Sequence, residues 1–213
     1  MKKKIKPIQI SCDGGAATGK STGAKMLAKK YNLTFLSSGL LYRYAALSLL
    51  KNKPKNDVVF LKKKFKKLNY RKLEKLKLHT PEISNYTSII AKNASIRIIL
   101  KKFQKDFSKK FKNCCIEGRD ISTKILPNSD LKFFFFCSLK IAAIRRFNEL
   151  KKSNKNIILE DVKKDLRKRN FQDTRRKNSP LLKHRDSVVI DTGKLTKKAM
   201  LKKMSKYVER IIS

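Results

Sequence analysis

Short, mostly apolar runs at Ile8–Cys12, Leu33–Leu36, Cys114–Glu117, Leu131–Cys137 and Val188–Ile190 predict strands. Several are apolar without alternation, as strands covered on both faces of a parallel sheet are. Between them, apolar residues recur at helical spacing over Ser21–Lys30, Leu40–Lys51, Glu82–Ala91, Ile96–Phe111, Leu139–Lys152, Glu160–Asn170 and Thr196–Ile212. In the last of these, Ala199, Met200, Met204, Tyr207, Val208 and Ile211 share one stripe, which predicts a packing helix. The alternation of strand and helix predicts an α/β fold, a doubly wound parallel sheet with helices on both faces. Two stretches break the pattern: Asn52–Pro81, Lys-rich with weak periodicity, and Arg167–Arg185, charged and containing Pro180. A length of 213 residues suits one such core with small appended subdomains, or two modest domains.

The first strand runs straight into the segment Gly14-Gly15-Ala16-Ala17-Thr18-Gly19-Lys20-Ser21-Thr22, which matches G-x-x-x-x-G-K-[ST] and is followed by a helix. Strand, glycine turn and helix start are the parts of a phosphate-binding P-loop. Gly14 and Gly19 let the backbone curl so that successive N–H groups face an anion, and the positive end of the helix dipole adds to the same spot. In such a loop Lys20 reaches the β- and γ-phosphates of ATP, and the Ser21 hydroxyl is a ligand for Mg²⁺.

Charge widens the picture without sharpening it. The chain carries 55 Lys and Arg against 16 Asp and Glu, a net charge of +39. Such an excess favours polyanionic partners, but it is mostly Lys in short runs, as a biased coding composition also gives. The four cysteines form no C-x-x-C pair and the two histidines lie far from them in sequence, which argues against a zinc site. Cys12, Cys114 and Cys115 fall in expected core strands, in keeping with buried thiols in a reducing compartment. The longest apolar run, Phe133 to Cys137, is too short to span a bilayer, and Lys6, Pro7 and Gln9 interrupt any signal-peptide core behind Lys2–Lys4. A cytoplasmic protein without a membrane partner is expected.

Clustered arginines stand out against this lysine background. They occur in Ser38-Gly39-Leu40-Leu41-Tyr42-Arg43, at Arg97, in Glu117-Gly118-Arg119-Asp120, at Arg145-Arg146, and from Arg167 to Arg176. The guanidinium fork grips phosphate oxygens in two places at once, and two of these clusters follow strand ends, where open α/β sheets bind ligands. With a P-loop on the same chain, the set points to a second phosphate-bearing substrate.

Taken together, the P-loop, the S-G-x-x-Y-R segment from Ser38 to Arg43, E-G-R-D with Thr123 three residues after Asp120, and Arg169, Asp173 and Arg176 as R-x-x-x-D-x-x-R resemble the bacterial cytidylate kinases. The resemblance extends to Val189-Ile190-Asp191-Thr192 at the last strand. It implies one P-loop kinase domain: a core of residues 1–51, 112–166 and 186–213, an acceptor-binding subdomain at 52–111, and a lid at 167–185. It implies ATP-dependent phosphorylation of CMP and dCMP, with Mg²⁺, by a monomer without a specific nucleic-acid partner. ATP would be held by residues 14–22. Ser38, Tyr42, Arg43, Arg119 and Arg176 would hold the acceptor monophosphate or its surroundings. Ser88, Arg97 and Asp120 would read the cytosine edge, and Arg169 and Asp173 the sugar hydroxyls. Lys20, Arg169 and Arg176 would be the catalytic cations. Cytosine offers an amino donor beside two acceptors, which a carboxylate, an arginine and a hydroxyl complement. Asp13 and Glu117 are the carboxylates expected to organise ion-bound water.

The chain departs from the family pattern in places. Gly15-Ala16-Ala17 stands where Pro-Ser-Gly is common, Asn170 and Gln172 where acidic and basic residues are usual, and Thr174 where Arg is, with Arg175 beside it. The insert between Arg43 and Glu82 is short and Lys-rich. Two other functions remain open at this point: a kinase for UMP, AMP or another phosphorylated acceptor, and a basic nucleic-acid-binding protein with a P-loop.

Overall fold

The computed structural model describes residues 7–152 and 155–212; the Lys2–Lys4 run lies outside them. The chain divides into two compact units, one of Met1–Phe35 and Lys112–Ser213, the other of Leu36–Phe111. Five strands, β1 (Gln9–Gly14), β2 (Thr34–Ser37), β3 (Cys114–Gly118), β4 (Leu131–Phe136) and β5 (Val188–Asp191), form one sheet in the order β2-β3-β1-β4-β5. The pairings of β1 with β3, β1 with β4 and β4 with β5 are all parallel. The five expected strands are present, each shifted at its ends by no more than two residues. The fold is α/β, and the first strand lies at its centre.

In the first unit, one face of the sheet is covered by α1 (Lys20–Lys30) and α8 (Lys197–Ile212). Ile10, Cys12, Cys115, Phe133, Phe135 and Ile190 of the strands pack there against Leu27, Met200, Met204 and Val208. The predicted stripe of α8 is this packing face. Gly23 on α1 is required by the contact: a Cβ there would lie 2.6 Å from the Phe135 ring. A second apolar cluster joins α6 (Leu139–Lys151) to α7 (Leu159–Arg175) through Ala142, Ala143, Val162 and Leu166. The four cysteines are free and buried. Burial pushes the Cys114 thiol up to about 12 and that of Cys12 well above its ordinary value, so both behave as small apolar residues.

The second unit is helical: α2 (Ser38–Asn52), α3 (Asp57–Lys66), α4 (Pro81–Ile90) and α5 (Ala94–Lys110), with a 3₁₀ turn at Tyr70–Lys75. The stretch Asn52–Pro81, expected to be irregular, therefore contains a helix. The Asn56 side chain caps α3 by accepting from the Val59 N–H at 3.0 Å, and Leu61 and Phe65 are its buried positions. Phe65 meets Tyr44 and Phe103 edge-on, and Tyr70 meets Phe107 and Phe111, which fixes the Lys-rich segment on an aromatic cluster. The other expected irregular stretch, Arg167–Arg185, is helical as far as Arg175.

Candidate active site: a phosphate-binding loop faced by a charged helix

The loop leaves β1 at Gly14, whose position admits no side chain: a Cβ there would lie 2.4 Å from the Phe135 carbonyl oxygen. Thr18 Oγ1 closes the turn by donating to the Gly15 carbonyl at 3.0 Å. Gly19 precedes α1 with φ of +82°, a left-handed conformation that glycine adopts without strain. Ala17 takes φ of +56°, also left-handed, but with a Cβ. No side chain caps α1 and its first turn holds no acid. The first intrahelical N–H bond is that of Gly23 to the Gly19 carbonyl, which leaves the amides before it directed out of the helix end. An uncapped helix start behind a curled loop is a site for an anion.

Lys20 lies over this loop. Its Nζ donates to the Gly15 carbonyl at 3.3 Å and stands 3.7 Å from Glu117 Oε2 at the end of β3. Burial first, and then the nearby Arg119 charge, lower its pKa to about 8 against the pull of Glu117. A cation held at this cost is stabilised by any additional negative charge.

After β3 the chain makes a π-turn over Ile121–Ile125. Asp13, at the end of β1, fixes this turn: its carboxylate accepts from the Ile121 N–H at 2.8 Å and from the Ser122 N–H and hydroxyl at 2.7 and 2.6 Å. Burial raises the Asp13 pKa, opposed by these same bonds. Asp13, expected to organise ion-bound water, uses both its oxygens to hold the segment that follows G-R-D in place. Ser122 was not singled out by sequence; nothing local marks it as the partner of a residue more than a hundred positions earlier. Of the two carboxylates proposed for that task, Glu117 is the one beside Lys20.

Arg119 projects from the same segment. It donates to the Gly14 carbonyl and its Nε lies 2.8 Å from Asp173 Oδ2. The other Asp173 oxygen is 3.3 Å from Arg176 Nη1, and Arg176 Nε donates to the Ser179 carbonyl at 2.5 Å. Burial alone would raise the Asp173 carboxyl, but Arg119, then Arg176, Arg169 and Lys20 outweigh it and hold the pKa below its ordinary value. Because α7 continues through this stretch, Arg169 and Asp173, four residues apart, lie on one helical face, and Arg176 follows at its end. Asn170, on the same helix, accepts the Ala16 N–H at 3.2 Å. Arg175 turns outward over the exposed Phe171 ring, its guanidinium carbon 4.6 Å from the centroid. Thr192, after β5, ties the loop from behind: its hydroxyl donates to the Thr18 carbonyl at 2.7 Å and accepts from Arg145 Nη1 at 2.8 Å. The first unit thus brings together residues 14–22, Glu117, Arg119, Arg169, Asp173 and Arg176. Asp120 is buried and opens the π-turn with its carbonyl accepting from the Lys124 N–H.

The second unit gathers the other expected positions. Ser37 caps α2 by accepting from the Leu40 N–H at 3.3 Å, which sets Ser38 in the first turn. Ser38, Tyr42, Arg43 and Arg97 are buried. Arg43 Nη1 donates to the Leu78 carbonyl at 2.9 Å and to the Ser84 hydroxyl at 2.7 Å. Ser88, one turn on, donates to the Ser84 carbonyl at 3.2 Å. The Arg97 guanidinium lies 5.6 Å from the Tyr42 ring centroid and donates to the Ala91 carbonyl at 3.2 Å. Ser84, which accepts from both Arg43 and Ser88, joins two of the expected positions, a link the sequence does not reveal.

A central parallel strand running through a glycine turn into an uncapped helix, with Lys20 over the turn and arginines around it, defines a P-loop phosphotransferase. Solved structures agree on the fold. An uncharacterized protein from Eubacterium ventriosum ATCC 27560 aligns with a TM-score of 0.59 at 18% identity, covering 96% of this chain and 99% of that one. Shikimate kinase from Bacteroides thetaiotaomicron aligns with a TM-score of 0.53 at 10% identity, covering 95% and 98%. Sequence comparison is more specific. Residues 10–210 match the family described as Cytidylate kinase. A cytidylate kinase of Clostridium botulinum (strain Loch Maree / Type A3) is 33% identical over 215 residues, covering 95% of this chain and 98% of that protein. One from Thermosipho melanesiensis is 33% identical over 214 residues, covering 95% and 97%. The chain belongs to the cytidylate kinase family.

Proposed function

We propose that the protein transfers the γ-phosphoryl group of ATP to the 5′-phosphate of CMP, and of dCMP, giving CDP or dCDP and ADP. The observation that carries this reading is Lys20, a half-buried cation lying over a curled loop of backbone amides, in a chain that matches the cytidylate kinases over residues 10–210. The acceptor oxygen of a nucleoside monophosphate is already ionised, so the reaction needs no general base. An oxygen of CMP bonds to the γ-phosphorus while the bond from that phosphorus to the β-bridging oxygen breaks, and the electron pair leaves on ADP. What must be supplied is alignment of two anions and neutralisation of their charge.

Residues 14–22 are assigned to ATP, with Lys20, Arg169 and Arg176 as the catalytic cations. In the second unit, Ser38, Tyr42, Arg43, Ser88 and Arg97 are assigned to CMP; in the first, so are Arg119, Asp120, Arg169, Asp173 and Arg176. Residues 167–185 are assigned to a lid that excludes water from the γ-phosphate. The donors beside Lys20 suit Mg²⁺: Ser21 follows it in the first turn of α1 and Glu117 lies against it, a hydroxyl and a carboxylate, both hard oxygens. When bound, that ion neutralises phosphate charge. No helix among the described residues is long and apolar enough to cross a membrane. The test is to mix protein, ATP, Mg²⁺ and CMP and follow nucleotides by chromatography. Equal amounts of CDP and ADP are expected; ADP and inorganic phosphate without CDP would overturn the proposal.

A further inference from the structure

The N–H groups of a phosphate-binding loop are donors meant for a ligand, yet that of Ala16 has a protein acceptor. It donates to Asn170 Oδ1 at 3.2 Å. Because the donor is an N–H, the oxygen end of the amide must face it, which settles the orientation of the Asn170 side chain. The approach is close: a Cβ at Gly15 would lie 3.3 Å from the same Oδ1, so a side chain there would require Asn170 to shift slightly. Asn170 sits in α7, three residues before Asp173, and Asp173 reaches the loop a second way, through Arg119 and the Gly14 carbonyl. The helix carrying Arg169, Asp173 and Arg176 therefore holds the loop at two points, one neutral and one ionic.

We propose that Asn170 is a placeholder for a phosphate oxygen of ATP: its side-chain oxygen occupies the Ala16 N–H while no triphosphate is present, and gives up that donor to a phosphate oxygen when ATP binds. The chemistry favours an amide for this task. A neutral oxygen forms a bond weak enough to be exchanged for one to a charged phosphate, since charge-assisted bonds are roughly twice as strong. A carboxylate in its place would hold the N–H more firmly and repel the incoming anion. Exchange at this bond also frees α7 at its neutral contact, so filling of the loop is felt by the helix that bears the arginines.

The inference rests on reading residues 14–22 as the ATP site, and Lys20→Ala serves as the control for that reading. ATP affinity is measured by calorimetry for wild type, Asn170→Ala, Asn170→Asp and Lys20→Ala, together with kcat and KM for ATP and hydrogen exchange at the Ala16 amide. Removing the competing oxygen in Asn170→Ala is expected to tighten ATP binding about threefold to tenfold, the worth of one neutral hydrogen bond. Asn170→Asp is expected to weaken it by about tenfold or more through charge repulsion, raising KM far more than it lowers kcat, with recovery as pH falls and the carboxylate protonates. The Ala16 amide should exchange faster in ligand-free Asn170→Ala than in ligand-free wild type, and equally slowly in both with ATP. Asn170→Ala that binds ATP as wild type does, or more weakly, overturns the inference while Lys20→Ala still weakens binding. If Lys20→Ala binds ATP normally, the reading of the loop itself fails.

Discussion

The cations of the two units are held in different ways. Lys20, Arg119 and Arg176 of the first unit are half-buried at the ends of a loop, a strand and a helix, each within reach of a carboxylate. Arg43 and Arg97 of the second are buried within a helical cluster, bonded to the carbonyls of Leu78 and Ala91 and packed against Ser84 and Tyr42. The first arrangement is one of exchangeable partners: under the proposed function, each contact with Glu117 or Asp173 is traded for one to a phosphate. The second is one of packing, where the guanidinium is part of what keeps α2, α4 and the start of α5 together. Substitutions should therefore separate chemistry from stability according to the unit in which they fall.

The largest effect is expected at Lys20. Lys20→Ala should lower kcat by about 10²–10³-fold, as removal of one preorganised charge-stabilising group does, while Tm stays at or above that of wild type. The sign follows from its pKa of about 8: the folded state disfavours the charged lysine, so below that pH the charge is a cost to folding that the variant removes. A fall in Tm matching the fall in activity would contradict the comparison. Arg97→Ala should behave in the opposite sense, losing about 2–3 kcal/mol of stability by denaturant titration through the emptied packing and the unpartnered Ala91 carbonyl. An unchanged midpoint would show that Arg97 is held by the ligand and not by the fold.

Asp173 offers a smaller effect, readable by pH. Its folded pKa lies below the unfolded one, so it contributes stability above the ordinary carboxylate range that is lost as pH falls through the folded value. Asp173→Asn should be less stable than wild type at neutral pH, and the two should converge in acid. Parallel stability–pH curves would remove Asp173 from the ion-pair network. The smallest effect is expected at Ala17. Its left-handed backbone costs about 1–2 kcal/mol relative to glycine, part of which glycine returns as entropy of the unfolded chain. Ala17→Gly should raise stability by about 0.5–1 kcal/mol, measured by thermal unfolding. Destabilisation would show that the stiffness of the loop, not its strain, dominates there.

What the sequence reveals and what it hides follow from range. The strands were legible because parallel strands buried on two faces are apolar without interruption, and the phosphate-binding loop because all its parts are contiguous. Helix α3 was hidden by Lys62–Lys64 and the adjacent Val58 and Val59, although Asn56 ahead of Val58, Leu61 and Phe65 is a cap before a helical stripe. The end of α7 was hidden because beyond Leu166 it has little apolar surface to bury. What ties it to the loop and to the segment after β3 includes the Asn170 and Asp173 contacts with residues more than fifty positions away, which no local pattern contains. Asp13 is the same case: its bonds to the amides of Ile121 and Ser122 join residues more than a hundred positions apart.

The central claim is that this site passes a phosphoryl group to a cytidine monophosphate, and kcat/KM measured with ATP and Mg²⁺ for CMP, dCMP, UMP and AMP tests it most directly. CMP or dCMP should give the highest value, with UMP well below because its ring presents an acceptor where cytosine has its amino group. A higher value for UMP or AMP, or no transfer to any of the four, would contradict the account.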